Sequence, residues 1–342
     1  MIRRNAIFFL IDKNIFPAAI FQATRLASLN PRDDTDICVI SDSASDVALA
    51  KDFAAPCRII YLDPSMVKVP MNQAYASRVS YYRAYVPSLL AGEYRRILHL
   101  DTDIAIENDK IFSLFDIEMG GHPIAAVRDA MVAYSNAPAN VAELKSALRK
   151  GGRKYLNNGM ALIDADRFVE FGLETRTIAA ISKSRTPLPY ANQTAINATL
   201  NGNWLELSPT FNMMIPLWKS FVREVCAPTI VHFAGPAKPW HGPRFAESHR
   251  VKAEMEQFFR DTPWKGFLAS FFDVKDALQQ VVAVPGLGPT RAANKPTTLP
   301  SIEMRPNYDM PGFVQYLAET PFADVLQGVT SLDLGKIPTQ FR

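Results

Sequence analysis

The stretch ILHLDTDIAI, Ile97–Ile106, sets two carboxylates two residues apart at the end of an apolar run. An uninterrupted run of this kind is what a strand buried on both faces looks like, and parallel sheets flanked by helices are made of such strands. Upstream the pattern recurs: AIFFLI, ICVISD and CRIIYLD alternate with the helical stretches PAAIFQATRLASLN and SASDVALAKDFA. Strands separated by helices imply parallel βαβ units and a doubly wound opening, in which ligands bind beyond the carboxyl ends of the strands, where strand order reverses. Acidic and amide residues stand at those ends: Asp12 and Asn14, Asp42, Asp63, then Asp101 and Asp103. Any one of them is explained as a turn or a helix cap, Ser41 and Asp42 above all. Only as a set do they point to a site.

A chain of 342 residues has room for one large α/β domain and an appendage. Its formal charge of +3 is far from that of a dedicated nucleic-acid binder, so no nucleic-acid partner is expected. Cys38, Cys57 and Cys226 are odd in number, far apart and without a CxxC pair, which argues against a disulfide framework or a zinc site and for a reducing cytoplasm. In MIRRNAIFFLIDKN the apolar segment before Asp12 is too short for a leader or a membrane span, and we read Ala6–Ile11 as the first buried strand.

Further along, Tyr75–Leu90 reads as a helix that leaves Arg78 and Arg83 for other work, and Val141–Lys150 as a short amphipathic helix. Tyr155–Ile163 returns to strand character, after which Asp164 or Asp166 caps a helix of roughly fifteen residues. Glu247–Arg260 looks helical, and WKGFLASFF follows. The prolines between Pro285 and Pro311 forbid a regular element, so an extended arm is expected there, ending in a short helix near Phe313–Leu317.

In a strand, residues i and i+2 face the same side, so Asp101 and Asp103 can address one point while Thr102 turns away. Two neighbouring carboxylates repel unless a cation lies between them, and magnesium or manganese, with diphosphate oxygens completing the shell, would remove the conflict. A competing reading is the phosphatase-like hhhhDxDx[TV] arrangement, whose first Asp is a nucleophile. Here the last position is Ala105, the motif does not open the domain, and no later G-D-x-x-x-D segment follows.

Three later segments bear on the choice: YLNNGMALIDADRF (Tyr155–Phe168), ANQTAIN (Ala191–Asn197) and VHFAGPAKPWHG (Val231–Gly242). With the DTD, they resemble glycosyltransferase family 8, which includes glycogenin-like enzymes and bacterial lipopolysaccharide galactosyl- and glucosyltransferases. The resemblance covers residues 5–242 and implies an α/β GT-A fold, a Rossmann-like mixed sheet flanked by helices. It implies a retaining transfer of a hexose from a nucleotide-sugar, usually a UDP-sugar, to a hydroxyl of a glycan or lipid-linked glycan such as lipopolysaccharide. Residues 1–243 then form the catalytic domain and 244–342 a helical, later Pro-rich extension. WKGFLASFF either packs on that domain or rests peripherally on the inner face of a membrane.

Residue by residue, the resemblance implies metal ligation by Asp101, Asp103 and His232, the last opening the family's HFxGxxKPW. A histidine nitrogen among oxygen ligands tilts the choice from Mg2+ to Mn2+. Thr102 completes the motif and is grouped with the donor-binding residues. Gly235 lets the chain pass close to the diphosphate, and Lys238 offers its ammonium to the departing UDP. Asp12 and Asn14, in DKNIFPA, match the segment that bonds uridine and ribose, although the aromatic expected to stack on uracil is Ile15, leaving Phe16 to take over or the stacking to weaken. Arg83 matches an arginine near the diphosphate and donor sugar. Asn157, two residues before Gly159, matches a donor-contacting asparagine.

The family commonly reads D-Q-x-x-x-N where this chain has Asn192, Gln193 and Asn197. An amide cannot be the carboxylate nucleophile of a double displacement, so a front-face reaction is expected, with Gln193 beneath the anomeric carbon and Asn192 positioning sugar hydroxyls. The alternative is a catalytically impaired sugar-nucleotide-binding protein of the same fold.

Overall fold

Residues 5–11 are buried throughout and alternate between two cores: Ile7, Phe9 and Ile11 face one side, Ala6, Phe8 and Leu10 the other. This is the period-two pattern of a central strand covered on both faces. The computed structural model describes residues 4–67, 78–129, 154–184, 188, 190, 192–214, 227–235, 238–241 and 246–271. Its opening is β1 (Arg4–Ile11), α1 (Phe16–Ser28), β2 (Thr35–Ser41), α2 (Ala44–Asp52) and β3 (Arg58–Tyr61). The three strands and β4 (Tyr94–Leu100) are parallel, with β2 on one side of β1 and β4 on the other. The order of strands reverses at β1, and the crevice this creates lies at the carboxyl ends of β1 and β4, where Asp12 and Asp101 follow.

After β4 the chain leaves the sheet for β5 (Ile104–Ile106) and returns in β6 (Ile124–Arg128), β7 (Leu156–Asp164) and β8 (Leu205–Glu206). The seven-stranded sheet runs β3-β2-β1-β4-β7-β6-β8, with β7 antiparallel to both β4 and β6. It is therefore mixed, as expected. A small sheet pairs β5 antiparallel with β10 (Ile230–His232), which in turn pairs in parallel with β9 (Met213–Met214).

Two antiparallel pairings do most to shape the site. Because β7 runs against β4, its first residues arrive where β4 ends, and the Asp101 backbone N–H donates to the Gly159 carbonyl at 2.8 Å. Because β10 runs against β5, His232 lies opposite Ile104, one residue past Asp103. α1 secures this exit from the sheet: buried Gln22 donates from Nε2 to the carbonyls of Thr102 (3.1 Å) and Ile104 (2.7 Å), and Arg25 from Nε to that of Ile106 (2.7 Å).

Three local expectations are corrected. The helix expected over Tyr75–Leu90 is two short ones, α3 (Arg78–Tyr82) and α4 (Val86–Leu90), with Arg83 in the turn between them. Pro87 has no N–H to give the Arg83 carbonyl, and tighter bonds from Ala84 to Tyr81 and Tyr85 to Tyr82 close the turn. The fifteen-residue helix after Asp164 is also split, into α5 (Ala165–Glu170), capped by Asp164, and α6 (Leu173–Lys183), because Gly172 adopts φ 58°. The cap of α2 is Ser43 rather than Ser41 or Asp42.

α7 (Asn192–Leu200) packs on α6, and α8 (Ala246–Phe259) joins the core built on α1. Phe258 and Phe259 meet Phe21 at 5.6 and 6.4 Å between ring centroids, and Trp264 meets Phe53 edge-on at 5.2 Å. Trp264, Phe267 and Leu268 are buried in this cluster, so these three apolar groups of WKGFLASFF face protein and are not offered to lipid. No helix among the described residues is long and apolar enough to cross a membrane. Cys38 and Cys57 are free thiols that burial pushes up to about 11 and about 12, which makes neither a nucleophile. Cys226, the Val141–Lys150 helix, Phe272 and the Pro285–Pro311 arm with its short helix fall outside the described residues.

Candidate active site

Asp101 and Asp103 do not continue β4. Residues 101–103 form the bend between β4 and β5, so the same-side rule for strands is not what brings their carboxylates together. Tertiary contacts do so: Gln22 holds the Thr102 carbonyl, and the Asp103 carbonyl accepts from the Phe233 backbone N–H at 2.9 Å. That second bond, just beyond β10, carries His232 to the same point. Its Nε2 lies 3.5 Å from Asp103 Oδ1 and 4.0 Å from Asp101 Oδ2, and one ligand atom from each of the three residues falls within 4.8 Å of the others.

These spacings fit one small dication. Adjacent ligands of an octahedral ion lie about 3 Å apart and opposite ones about 4 Å, and an imidazole with two carboxylates suits manganese better than magnesium. No other group of three such side chains converges among the described residues.

Each carboxylate also meets a cation. Arg83 Nη2 stands 2.5 Å from Asp101 Oδ1, and Lys238 Nζ pairs with Asp103 Oδ2 while donating to the Phe233 carbonyl at 3.1 Å. Burial alone would raise the Asp103 carboxyl, but Lys238 and His232 outweigh it and hold the group well below the usual carboxylate range. The resulting site has fixed charge of both signs at the mouth of the crevice. Behind it, His99 is buried beside Phe8, and burial together with the Arg83 charge keeps its ring neutral.

Under the carboxylates lies a layer of amides. Asn157 Oδ1 accepts from the Gly159 backbone N–H (2.9 Å) and from Asn212 Nδ2 (3.0 Å), while its Nδ2 donates to Asp129 Oδ2 (2.9 Å). Gln193 Oε1 accepts from the Asn158 N–H at 3.0 Å, and its Nε2 donates to the same Asp129 oxygen at 2.9 Å. Asn197 ties α7 to the start of β7, accepting from the Leu156 N–H and donating to its carbonyl. Gly159 is indispensable to the packing: a Cβ there would lie 2.2 Å from His232 Cε1 and 2.9 Å from its Nδ1.

The remaining expected residues divide. Asp12 closes a turn at the end of β1 by accepting from the Asn14 N–H at 2.9 Å. Phe16 is fully buried against Trp264, so the expectation that it could stack on a base is wrong: its position on α1 turns it into the core. Gly235 has φ 95°, and a Cβ there would meet nothing within 4 Å among the described residues, so its backbone conformation demands glycine. Trp240 anchors the same loop in the core. Asn192, at the start of α7, is buried, and its Oδ1 has no hydrogen-bond partner among the described residues. The sequence reading missed Asp129, Asn212 and Gln22. Asp129 ends a strand as the other acids do and could have been found by that rule, whereas nothing around Asn212 or Gln22 marks them.

Comparison with known proteins adds an independent line. The model for glycosyl transferase family 8 matches residues 6–243. Over 227 residues the chain is 26% identical to general stress protein A of Bacillus subtilis, covering 62% of this chain and 75% of that protein. Over 213 residues it is 25% identical to glycosyltransferase GlyF of Streptococcus pneumoniae, covering 60% of this chain and 48% of that one. Among solved structures, an active-site mutant of LgtC superposes with a TM-score of 0.62 at 19% identity, covering 77% of this chain and 99% of that chain. The bifunctional glycosyltransferase WbbM superposes with a TM-score of 0.63 at 16% identity, covering 79% of this chain and 52% of that chain. The shared fold is of the GT-A type, and the chain spans about half the length of GlyF and WbbM.

Proposed function

Since the chain belongs to glycosyl transferase family 8, we propose that it is a retaining, metal-dependent hexosyltransferase that moves sugar from a UDP-sugar to a glycan or lipopolysaccharide-type hydroxyl. One observation carries this reading: side chains from the β4–β5 bend and from β10, far apart in sequence, converge on one cation-sized point beside Lys238 and Arg83.

Asp101, Asp103 and His232 would hold Mn2+, with Mg2+ as the weaker substitute. When bound, the ion neutralises the donor diphosphate. Lys238 and Arg83, paired with the carboxylates in this structure, would transfer their donors to phosphate oxygens, which Arg in particular grips in two-point fashion. Asp12 and Asn14, in the turn that follows β1, would bond the uridine and ribose.

In the chemical step the bond from the anomeric carbon to the phosphate oxygen breaks with its electrons going to UDP. The acceptor oxygen bonds to the same face of that carbon, and its proton passes to the departing phosphate. Gln193 sits in this reading below the anomeric carbon, where its amide oxygen stabilises developing positive charge, and Asn192 addresses sugar hydroxyls.

The test is UDP release from a panel of UDP-sugars with Mn2+, with and without glycan acceptors. We expect release that requires the metal and falls about 100-fold or more in Asp103→Asn and His232→Ala. The chain has Asn192 where a carboxylate is common in the family, which favours a second reading, a binding protein without transfer. Tight UDP binding with no turnover of any donor would select it.

A further inference from the structure

The amide layer has a sense of direction, and that direction can be deduced. A backbone N–H can only donate, so the Gly159 N–H at 2.9 Å identifies the Asn157 atom facing it as Oδ1. The other end of Asn157 is then Nδ2, which suits its partner, a carboxylate oxygen of Asp129 that accepts from it at 2.9 Å. The two partners thus agree on the orientation of one amide. Asn212 meets Asn157 Oδ1 at 3.0 Å and must do so with its NH2, which turns its own Oδ1 to His232 Nδ1 at 2.9 Å. An oxygen there requires a hydrogen on Nδ1. The neutral His232 ring is left with its lone pair on Nε2, the atom that faces Asp101 and Asp103.

We infer that Asp129, Asn157 and Asn212 form a positioning relay that sets the tautomer and ring orientation of His232 for metal binding, and that Asp129 thereby ties His232 to Gln193. The inference rests on the reading of Asp101, Asp103 and His232 as metal ligands.

Its physical basis is burial. Asp129, Asn157, Asn212 and His232 are 4, 6, 0 and 3% exposed, so no solvent competes for these hydrogen bonds and any reversal of one amide sets like against like. A ligating histidine is commonly oriented by an acceptor on its second nitrogen, and loss of that acceptor costs about 10–100-fold in metal affinity or activity. Asp129 touches neither the three ligands' ring nor carboxylate atoms in any of these bonds. It acts through two amides. The same Asp129 oxygen takes the Gln193 NH2, which turns Gln193 Oε1 to the Asn158 N–H.

The experiment has two readouts on the full chain, neither of them turnover. Long-range 15N–1H spectra of metal-free, 15N-histidine-labelled protein report the tautomer of the neutral His232 ring, assigned by its loss in His232→Ala. Mn2+ titration followed by the free-ion EPR signal reports affinity. We expect the Nδ1–H tautomer in the wild type and its loss in Asn212→Leu, which has the size of asparagine but no acceptor. Mn2+ affinity should fall about 10–100-fold in Asn212→Leu. Asn212→Asp keeps an acceptor for Nδ1–H but sets its second oxygen against Asn157 Oδ1, so it should keep the Nδ1–H tautomer and bind Mn2+ more tightly than Asn212→Leu. Asp129→Asn, which can present its oxygen to both amides, should stay within about 3-fold of the wild type, whereas Asp129→Ala should lose about 10-fold. Should Asp129→Ala fail to fold, the Asn212 pair and the wild-type spectrum decide. An Nε2–H tautomer in the wild type, or Asn212→Leu with unchanged Mn2+ affinity, overturns the relay. A wild type that binds no Mn2+ instead overturns the metal site itself, and the spectrum still reports on the hydrogen-bond chain.

Discussion

At the scale of single residues, the site depends as much on an absent atom as on those present. His232 can reach Asp101 and Asp103 only because Gly159 leaves space for its ring, and a Cβ at 2.2 Å from Cε1 cannot be accommodated without moving it. The ring is held from behind by Asn212, so it cannot swing aside cheaply. Gly159→Ala is therefore expected to lower Mn2+ affinity at least about 10-fold and to destabilise the protein by about 1–3 kcal/mol, the usual range for overpacking. Denaturant melts would check the second figure. Adding His232→Ala to Gly159→Ala should recover most of the stability and none of the metal binding. If the double variant is less stable than the single one, the clash lies elsewhere.

At the scale of elements, α1 does two unlike tasks. Phe16, Ile20 and Phe21 build the core shared with α8, while Gln22 and Arg25 reach across to the carbonyls of Thr102, Ile104 and Ile106. A polar residue on the buried side of a helix is explained by those carbonyls, which the chain exposes when it leaves one sheet for the other. Replacing Gln22 by Met keeps length and bulk and removes both bonds. The expected cost is about 1–3 kcal/mol, since two buried acceptors lose their donor. Hydrogen exchange should locate the effect: the Phe233 amide, bonded to the Asp103 carbonyl, should exchange faster in Gln22→Met than amides of β2 do. Uniform acceleration across the chain would mean that Gln22 serves general stability and not the bend.

At the scale of the whole molecule, the ligand site joins the two sheets, the turn before α4 and the loop after β10. Filling it should therefore stabilise the fold as a unit. With Mn2+ and UDP together at about 100 times their dissociation constant, the gain is about 2.7 kcal/mol, which a thermal melt reads as a rise of several degrees. Either component alone should give much less, and Asp103→Asn should abolish the rise. An equal rise with UDP alone would show that nucleotide binding does not use the carboxylates. Residues 246–271 take part in this unit, because Val251, Met255, Phe259 and Trp264 share the apolar cluster of α1. Phe259→Ala, in that cluster, is expected to cost about 3–5 kcal/mol, measurable by denaturant melt.

The sequence by itself determined the layered α/β architecture, because strands buried on both faces and amphipathic helices each carry a periodicity that a linear chain displays. It also marked Asp101, Asp103, His232 and Lys238 through local motifs. What it could not display is direction and register. That β7 runs antiparallel to β4 and β10 to β5 is decided by packing, and those pairings alone set Gly159 against His232 and residue 233 against Asp103. The splitting of two expected helices at Pro87 and Gly172 was legible in residue type, yet the turn's use, placing Arg83 on Asp101, was not. Asn212 and Gln22 stand furthest from anything the sequence reveals. Their meaning lies in which buried donors and acceptors face one another, and hydrogen-bond direction exists only once the chain has brought donor to acceptor.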